Sequence, residues 1–435
     1  MTHGYYAGLS GIQTHQYGLD VVSDNLANVN TIGYRGSNTE FASLLSTRVV
    51  SAGAKTPTSN DLEAGVRLQA TTMNTTSGTL INTDRFNDLS IGGNGWFGVV
   101  SGTNNYFTRA GNFVFDEYQK IPGQINSSIA RLTTGDGMYV TGTALGNYTY
   151  DAALKSFVIG PVTNNVPLAA VNSQGPLEFP TLLKYPAQPT TITKFAANLG
   201  FDPETRIMSA DAISANNDRN RVKLVFTQSA IQPVTGVAWD IAATVTSNDG
   251  TTVYDTQSGQ AIFGALGILQ TSTLPTMNND GSPVTIDLSS YLGGITSSAG
   301  VPITASSLSD GTLGGTLTKY GISPDGTIIA DFSNGRQSAI GRVAVYHFQN
   351  EQGLERNGGT LYTQSSNSGA PTFWTDQNGN AITGAKITSG QLENSNVRLD
   401  VGLTDMIILQ RAYQANAKTI TTVDEMIQKA LQMRR

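Results

Sequence analysis

The sequence predicts a multidomain α+β chain. Long terminal helices pair as a coiled-coil-like inner domain, and the domains between them are mainly antiparallel β, the outermost inserted into the inner one. Two observations carry this. Apolar residues recur every seven positions at both ends of the chain. Between the ends lie nine Asx-Gly pairs, at Asn94, Asp136, Asp249, Asp280, Asp310, Asp325, Asn334, Asn357 and Asn378, each a hairpin-turn signal. A length of 435 residues suffices for roughly two to four domains.

At the N-terminus, Tyr5, Ile12, Leu19 and Leu26 form the seven-residue series, thickened by Leu9, Val22 and Val29. Gly4, Gly8, Gly11 and Gly18 fall at helical spacing on one side. Each costs about 1 kcal/mol against Ala in a helix interior, so the segment is expected to become helical only when packed, its glycines admitting a neighbouring helix. The helix is then stopped by Asn25, Asn28, Asn30, Thr31 and Gly33, followed by Tyr34 and Arg35. The amides can satisfy groups at the helix end, and Gly33 can take the left-handed conformation that most side chains resist. Tyr34 and Phe41 are expected to anchor the chain as it leaves.

Segment 46–70 is polar and rich in small residues and reads as an extended connector; 180–195, with three prolines, reads as extended or linking. Strand-like alternation marks 221–228, 252–256, 326–333 and 341–349. At the C-terminus, Leu399, Met406, Tyr413, Ile420 and Ile427 repeat the seven-residue spacing, flanked by Leu403, Leu409 and Val423. A helix over about 397–432 is on the order of 50 Å long. Asn394, Ser395 and Asn396 offer caps for its start, and Lys429, Arg434 and Arg435 suit its end.

Composition narrows the function. Charged residues are 13% of the chain and net charge is -6, without the basic patch that phosphate backbones require, so nucleic acid is not an expected partner. No cysteine is present, which removes disulfides, thiol catalysis and Cys-zinc sites. Neither a cleavable secretory signal nor a run of roughly 18 apolar residues is recognisable, so no membrane span is expected. Residues 93–98, GNGWFG, match a dinucleotide-binding pattern, but Val99 and Val100 follow where a helix is required. The three histidines, His3, His15 and His347, show no metal spacing; the carboxylates are scattered, with only Asp116-Glu117 and Asp424-Glu425 noted as adjacent, and turn aspartates account for most of them, so nothing favours a paired-carboxylate site. Trp96, Trp239 and Trp374 suit core packing better than a sugar platform. No catalytic, cofactor or metal site is expected, and no enzyme activity.

Four segments, in order, resemble one family, the bacterial flagellar rod and hook proteins. They are Asn25-Leu26-Ala27-Asn28 with Thr31 and Gly33-Tyr34-Arg35, then 86–116, 325–369 and 390–431. Arg35 stands where Lys is common in the family, and Asp24 where Asn is frequent. The resemblance implies an axial structural protein, exported unfolded through the flagellar type III route and located outside the cell in the flagellum. It implies a helical polymer of many copies, with hook cap, distal rod and hook–filament junction proteins as partners. It assigns self-assembly to Tyr5, Leu9, Ile12, Leu19, Val22 and Leu26 in the first helix, and to Leu399, Leu403, Met406, Tyr413, Ile420 and Ile427 in the last. The implied organisation is a helical inner domain (1–45 and 391–435), a connector (46–70), a discontinuous β-domain (71–145 and 326–390) and an inserted outer β-domain (146–325). An insert of that length suits a hook subunit. A distal-rod or hook-like junction subunit of the same family is the alternative, and a β-rich surface adhesin a more distant one.

Overall fold

A computed structural model describes residues 2–44, 47–48, 61–62, 65–123, 127–289, 292–299 and 304–433. The first helix, α1, runs from Thr2 to Ala27 and the last, α2, from Leu399 to Gln432; strands fill most of the chain between. Most of the expected connector 46–70, together with Arg434 and Arg435, lies outside the described residues. The described end of the connector is a strand: Val66–Met73 pairs antiparallel with Ser37–Ser43. This ribbon lies along α1, where the Val66 carbonyl accepts from Thr14 Oγ1 (3.1 Å) and the Val66 N–H donates to Ser10 Oγ (3.3 Å).

The two helices cross through glycine. A Cβ placed on Gly8 would stand 2.9 Å from Ile420 Cγ1, one on Gly11 2.6 Å from Asn416 Cγ, and one on Gly18 3.1 Å from Leu409 Cδ2. Gly4 faces Val423, so the helices are antiparallel. Leu409 and Val423 are the buried residues of α2. Absence of side chains on α1 lets the axes approach and brings many small dispersion contacts into range.

Strand Trp96–Ser101 lies at the centre of the β body. It pairs with Asn104–Thr108, Tyr139–Ala144 and Val345–Tyr346. From Tyr139–Ala144 the sheet continues through Gln337–Val343, Thr327–Phe332 and Gly315–Ile322 to Leu183–Tyr185. Leu89, Phe97, Phe113, Phe179 and Ile328 meet in its core, each contributing about 1.5–3 kcal/mol by burial. Seven of the nine Asx-Gly pairs close hairpins; Asn94-Gly95 leads into the central strand and Asp310-Gly311 crosses between two units.

A second core, with Phe195, Leu224, Phe226, Trp239 and Phe263, lies between two five-stranded sheets spanning Ile192 to Ser309. In Arg219–Gln228 the alternation of RNRVKLVFTQ buries Asn220, Val222, Leu224 and Phe226 on one face. Its limits are narrower than the expected 146–325. Tyr148–Asp151, Ser156–Ile159, Leu183–Tyr185 and Gly315–Ile322 pair into the sheet of the body, because Phe157, Leu183 and Tyr185 face the first core. The stretch 180–195, expected to be extended or linking, is strand towards both ends, at Leu183–Tyr185 and from Ile192, and 186–191 crosses between the units. There Gln188 and Thr312 exchange two backbone hydrogen bonds of 2.9 Å, and Asp310 Oδ1 accepts from the amides of Thr191 (2.9 Å) and Ile192 (3.1 Å).

The glycine contacts separate two outcomes. Gly4→Ala has room, its Cβ falling 3.5 Å from Val423, and should stabilise α1 by about 1 kcal/mol through helix propensity. Gly8→Ala should lose that gain to its clash with Ile420. Amide hydrogen exchange of α1 reads both, with slower exchange expected only in Gly4→Ala.

Candidate functional site

Where α1 ends, the chain turns into the β body. The Asn28 amide donates to the Asp24 carbonyl (3.2 Å), its side-chain Nδ2 to the same carbonyl (2.8 Å), and Thr31 Oγ1 to Asn28 Oδ1 (3.1 Å). Asn25 reaches across the turn, donating to the Ser37 carbonyl (2.7 Å) and accepting from the Ser37 amide (2.9 Å). Ala27 is exposed. Gly33 has φ 68°, and a Cβ there would stand 2.2 Å from the Ala110 amide nitrogen; conformation and close approach both require glycine. Its N–H donates to the Glu393 carbonyl at 2.7 Å. Tyr34 is buried, with Arg356 stacked 4.7 Å from its ring centroid and donating to its hydroxyl (2.9 Å). Phe41 stays partly exposed, edge-on to His15 at 5.9 Å.

The turn delivers Arg35 to a buried cluster. Arg35 Nη2 lies 2.9 Å from Glu393 Oε1, an ion pair whose N–H does not point at the oxygen. Arg109 Nη1 donates to Glu393 Oε2 at 3.2 Å. The three side chains are 1–2% exposed. The Gly78 amide also donates to Glu393 (2.8 Å), and Arg109 is held by the carbonyls of Ile91 (3.2 Å) and Gly93 (2.6 Å). Burial pulls the Arg109 guanidinium down to about 10 and Glu393 pulls it back up, so it is charged at neutral pH. Asn396, expected to cap α2, instead accepts from the Gly36 amide and donates to the carbonyls of Asn74 and Thr76, each at 2.8 Å. The position before α2 is Arg398, which makes no side-chain cap. Asn396 is spent on cross-linking the two chain ends, so it cannot cap.

The expected assembly residues fall on different sides of the helix pair. Val22 is buried in the seam; Ile12, Leu19 and Leu26 are half-buried; Tyr5 and Leu9 are exposed. On α2, Met406, Ile420 and Ile427 are half-buried and Leu399, Leu403 and Tyr413 exposed. The seven-residue series therefore marks the margins of the intrachain seam, whose centre is glycine on one helix and Leu409, Asn416 and Val423 on the other. Further apolar side chains point outward, among them Tyr6, Tyr17, Ile407, Ile408 and Met426.

The glycines of GNGWFG lead into strand Trp96–Ser101 rather than a helix. His347 bonds the Thr383 carbonyl through Nε2 at 2.8 Å. Trp96 and Trp239 are buried in cores, and Trp374 is exposed, edge-on to His347. Among the described residues no group of three His, Cys, Asp or Glu could hold a metal ion, and no helix is long and apolar enough to cross a membrane.

The two ends of the chain define the class. A family model described as flagella basal body rod protein matches residues 6–35, and one described as flagellar basal body rod FlgEFG protein C-terminal matches 388–433. Arg35 and Glu393 thus pair one matched segment with the other. Over its full length the chain is similar to flagellar hook proteins: it is 29% identical to flagellar hook protein FlgE of Borreliella burgdorferi across 100% of both chains, and 26% identical to that of Escherichia coli across 98% of both. A crystal structure of the Helicobacter pylori flagellar hook protein FlgE2 aligns with 72% of this chain and 100% of that one, at 15% identity and a TM-score of 0.47.

Glu393→Gln removes the carboxylate that pairs directly with two buried guanidinium groups and should cost about 3–5 kcal/mol in urea unfolding. The exposed Glu204→Gln should change stability by less than about 0.5 kcal/mol. Equal, small effects from both would refute the assigned weight of the cluster.

Proposed function

We propose that this chain is a structural subunit of the bacterial flagellar hook, a tube outside the cell that joins rod to filament and transmits torque. The observation that carries the proposal is the unsatisfied apolar surface of the helix pair. Tyr6, Tyr17, Ile407 and Ile408 are 58–63% exposed, although the helices already bury their mutual seam. Burying each such side chain is worth about 1.5–3 kcal/mol, and neighbouring copies of the same helix pair supply the surface to do it. In this reading the paired helices form the inner layer of the tube, the β body lies outside them, and the second β unit lies outermost. The role asks for no reaction.

The glycines of α1 fit the same role. A helix weakened by roughly 4 kcal/mol at four positions stays unfolded until packed, which suits export as an extended chain through the flagellar type III system. Distal rod, hook cap and hook–filament junction proteins are the partners this role requires at the start, during growth and at the end of the polymer.

Electron microscopy under polymerising conditions tests the proposal. The full chain should give tubes, with purified hook cap added if growth needs it. The double substitution Ile407→Asp with Ile408→Asp should give none, while the thermal unfolding of its β units stays within about 1 °C, as for surface changes away from their cores. Tubes of normal form from that variant would defeat the assignment of assembly to the helices.

A further inference from the structure

Four of the turn signals are Asn-Gly rather than Asp-Gly: Asn94-Gly95, Asn334-Gly335, Asn357-Gly358 and Asn378-Gly379. Such a pair holds a latent reaction. The glycine nitrogen can attack the carboxamide carbon of the asparagine before it, because no glycine side chain shields that nitrogen. Attack asks three things of the fold: a free carboxamide, a glycine N–H not engaged elsewhere, and a backbone that can bring the two atoms into near-attack contact.

The fold withholds these from three of the pairs. Asn334 Nδ2 donates to the Leu313 carbonyl (2.8 Å), its Oδ1 accepts from the Arg336 amide (3.1 Å), and the Gly335 N–H donates to the Phe332 carbonyl (2.9 Å). The Gly379 N–H donates to the Asp376 carbonyl (3.1 Å), and the Asn378 amide is held by Asp376 Oδ1 (2.8 Å). Gly95 is buried, and a Cβ on it would run into Val345 and stand 3.0 Å from His347 Cε1. Arg109 also grips the preceding Gly93 carbonyl at 2.6 Å.

Asn357-Gly358 differs in each respect. It lies at the tip of the hairpin that pairs Glu355–Arg356 with Leu361–Thr363. Asn357, Gly358 and Gly359 are exposed, and a Cβ on either glycine would meet nothing within 4 Å. Among the described residues neither the Asn357 carboxamide nor the Gly358 N–H has a hydrogen-bond partner. The hairpin is closed around them, by the Asn357 amide on the Leu361 carbonyl (2.9 Å) and the Leu361 amide on the Gly358 carbonyl (3.1 Å). The peptide between Asn357 and Gly358 is left free to turn.

We infer that Asn357 is a site of spontaneous covalent modification, selected by the fold from among the four pairs. The Gly358 nitrogen bonds to Asn357 Cγ and gives up its proton. The Cγ–Nδ2 bond breaks, and ammonia leaves with that proton, so a cyclic imide remains. Solvent water then adds to one of the two imide carbonyls. Opening at Cγ gives aspartate; opening at the main-chain carbonyl gives isoaspartate, whose backbone runs through the former side chain. Nothing is oxidised or reduced. Either product places a carboxylate beside Arg356, the cation that stacks on Tyr34 and donates to the hydroxyls of Tyr34 (2.9 Å) and Tyr362 (3.1 Å). A slow chemical change is thereby sited next to the grip on the end of α1.

Peptide mass spectrometry tests the inference on the intact chain, held folded in mildly alkaline buffer and, in parallel, unfolded in urea, with digestion at acid pH so that preparation adds no conversion. In the folded chain, acid should form at Asn357 about tenfold or more faster than at Asn334, where hydrogen bonds must first be released. Electron-transfer fragmentation should find isoaspartate among the products. In urea the four rates should converge. A folded-state rate at Asn357 no greater than at Asn334 and Asn378 would overturn the inference. An excess at Asn357 that persists unchanged in urea would overturn it too, because local sequence and not the fold would then select the site. Aspartate without isoaspartate would exclude the imide route.

Discussion

Two guanidinium groups and one carboxylate, almost wholly withdrawn from water, meet where the helix pair joins the β body. Arg35 arrives from the end of α1, Glu393 from the strand leading to α2, and Arg109 from the body itself. Taking such charges out of water costs several kcal/mol per ion, so the cluster adds little net stability over an apolar replacement. Its value lies in being unforgiving. Glu393 also accepts from the Gly78 amide, and Arg109 is fixed by two carbonyls, so any other placement of one chain end would strand a buried charge. Apolar contacts alone would tolerate sliding. The direction in which the helices leave the body is set here, and Gly33 and Asn396 are shaped to let the chain reach this geometry.

The helix pair divides its surface by side-chain size. Contact within the chain is made with hydrogen atoms on one side, at Gly8, Gly11 and Gly18, and with Leu409, Asn416, Ile420 and Val423 on the other. Apart from Val22, the large residues of α1 therefore lie at the margins of the seam or outside it. Asn416 is a polar knob within that seam, its Nδ2 bonded to the Ala412 carbonyl at 2.9 Å, and a polar residue at such a position favours one register over its neighbours.

Much of the architecture was legible in the sequence because it is encoded locally. Seven-residue spacing located both helices, amides and Gly33 located the end of α1, and most Asx-Gly pairs located hairpins. The side of α1 that packs on α2 was harder to assign, since glycine carries no hydropathy signal and periodicity reports where apolar residues are, not which partner covers them. Asn394, Ser395 and Asn396 looked like caps because capping is a short-range pattern, whereas the bonds of Asn396 go to residues 36, 74 and 76. Arg35, Arg109 and Glu393 meet from remote parts of the chain, and no spacing rule reaches that far; a carboxylate beside Leu392 in a chain so poor in charge was the one available hint. The limits of the second β unit were missed because strands 148–185 and 315–322 alternate as its own strands do, and pairing partner, not pattern, assigns them to the body.

The crossing at Gln188 and Thr312 has a consequence for how such chains diversify. The strand that leaves the body and the strand that returns are hydrogen-bonded neighbours, so everything between them is a parenthesis in the polypeptide. The entropy of closing such an excursion grows only with the logarithm of its length, and the body cannot sense whether the parenthesis holds a turn or a whole β-sandwich. Mutation is thus free to lengthen, shorten or exchange the second β unit, while the thread that passes through Arg35, Glu393 and the two helices keeps its course.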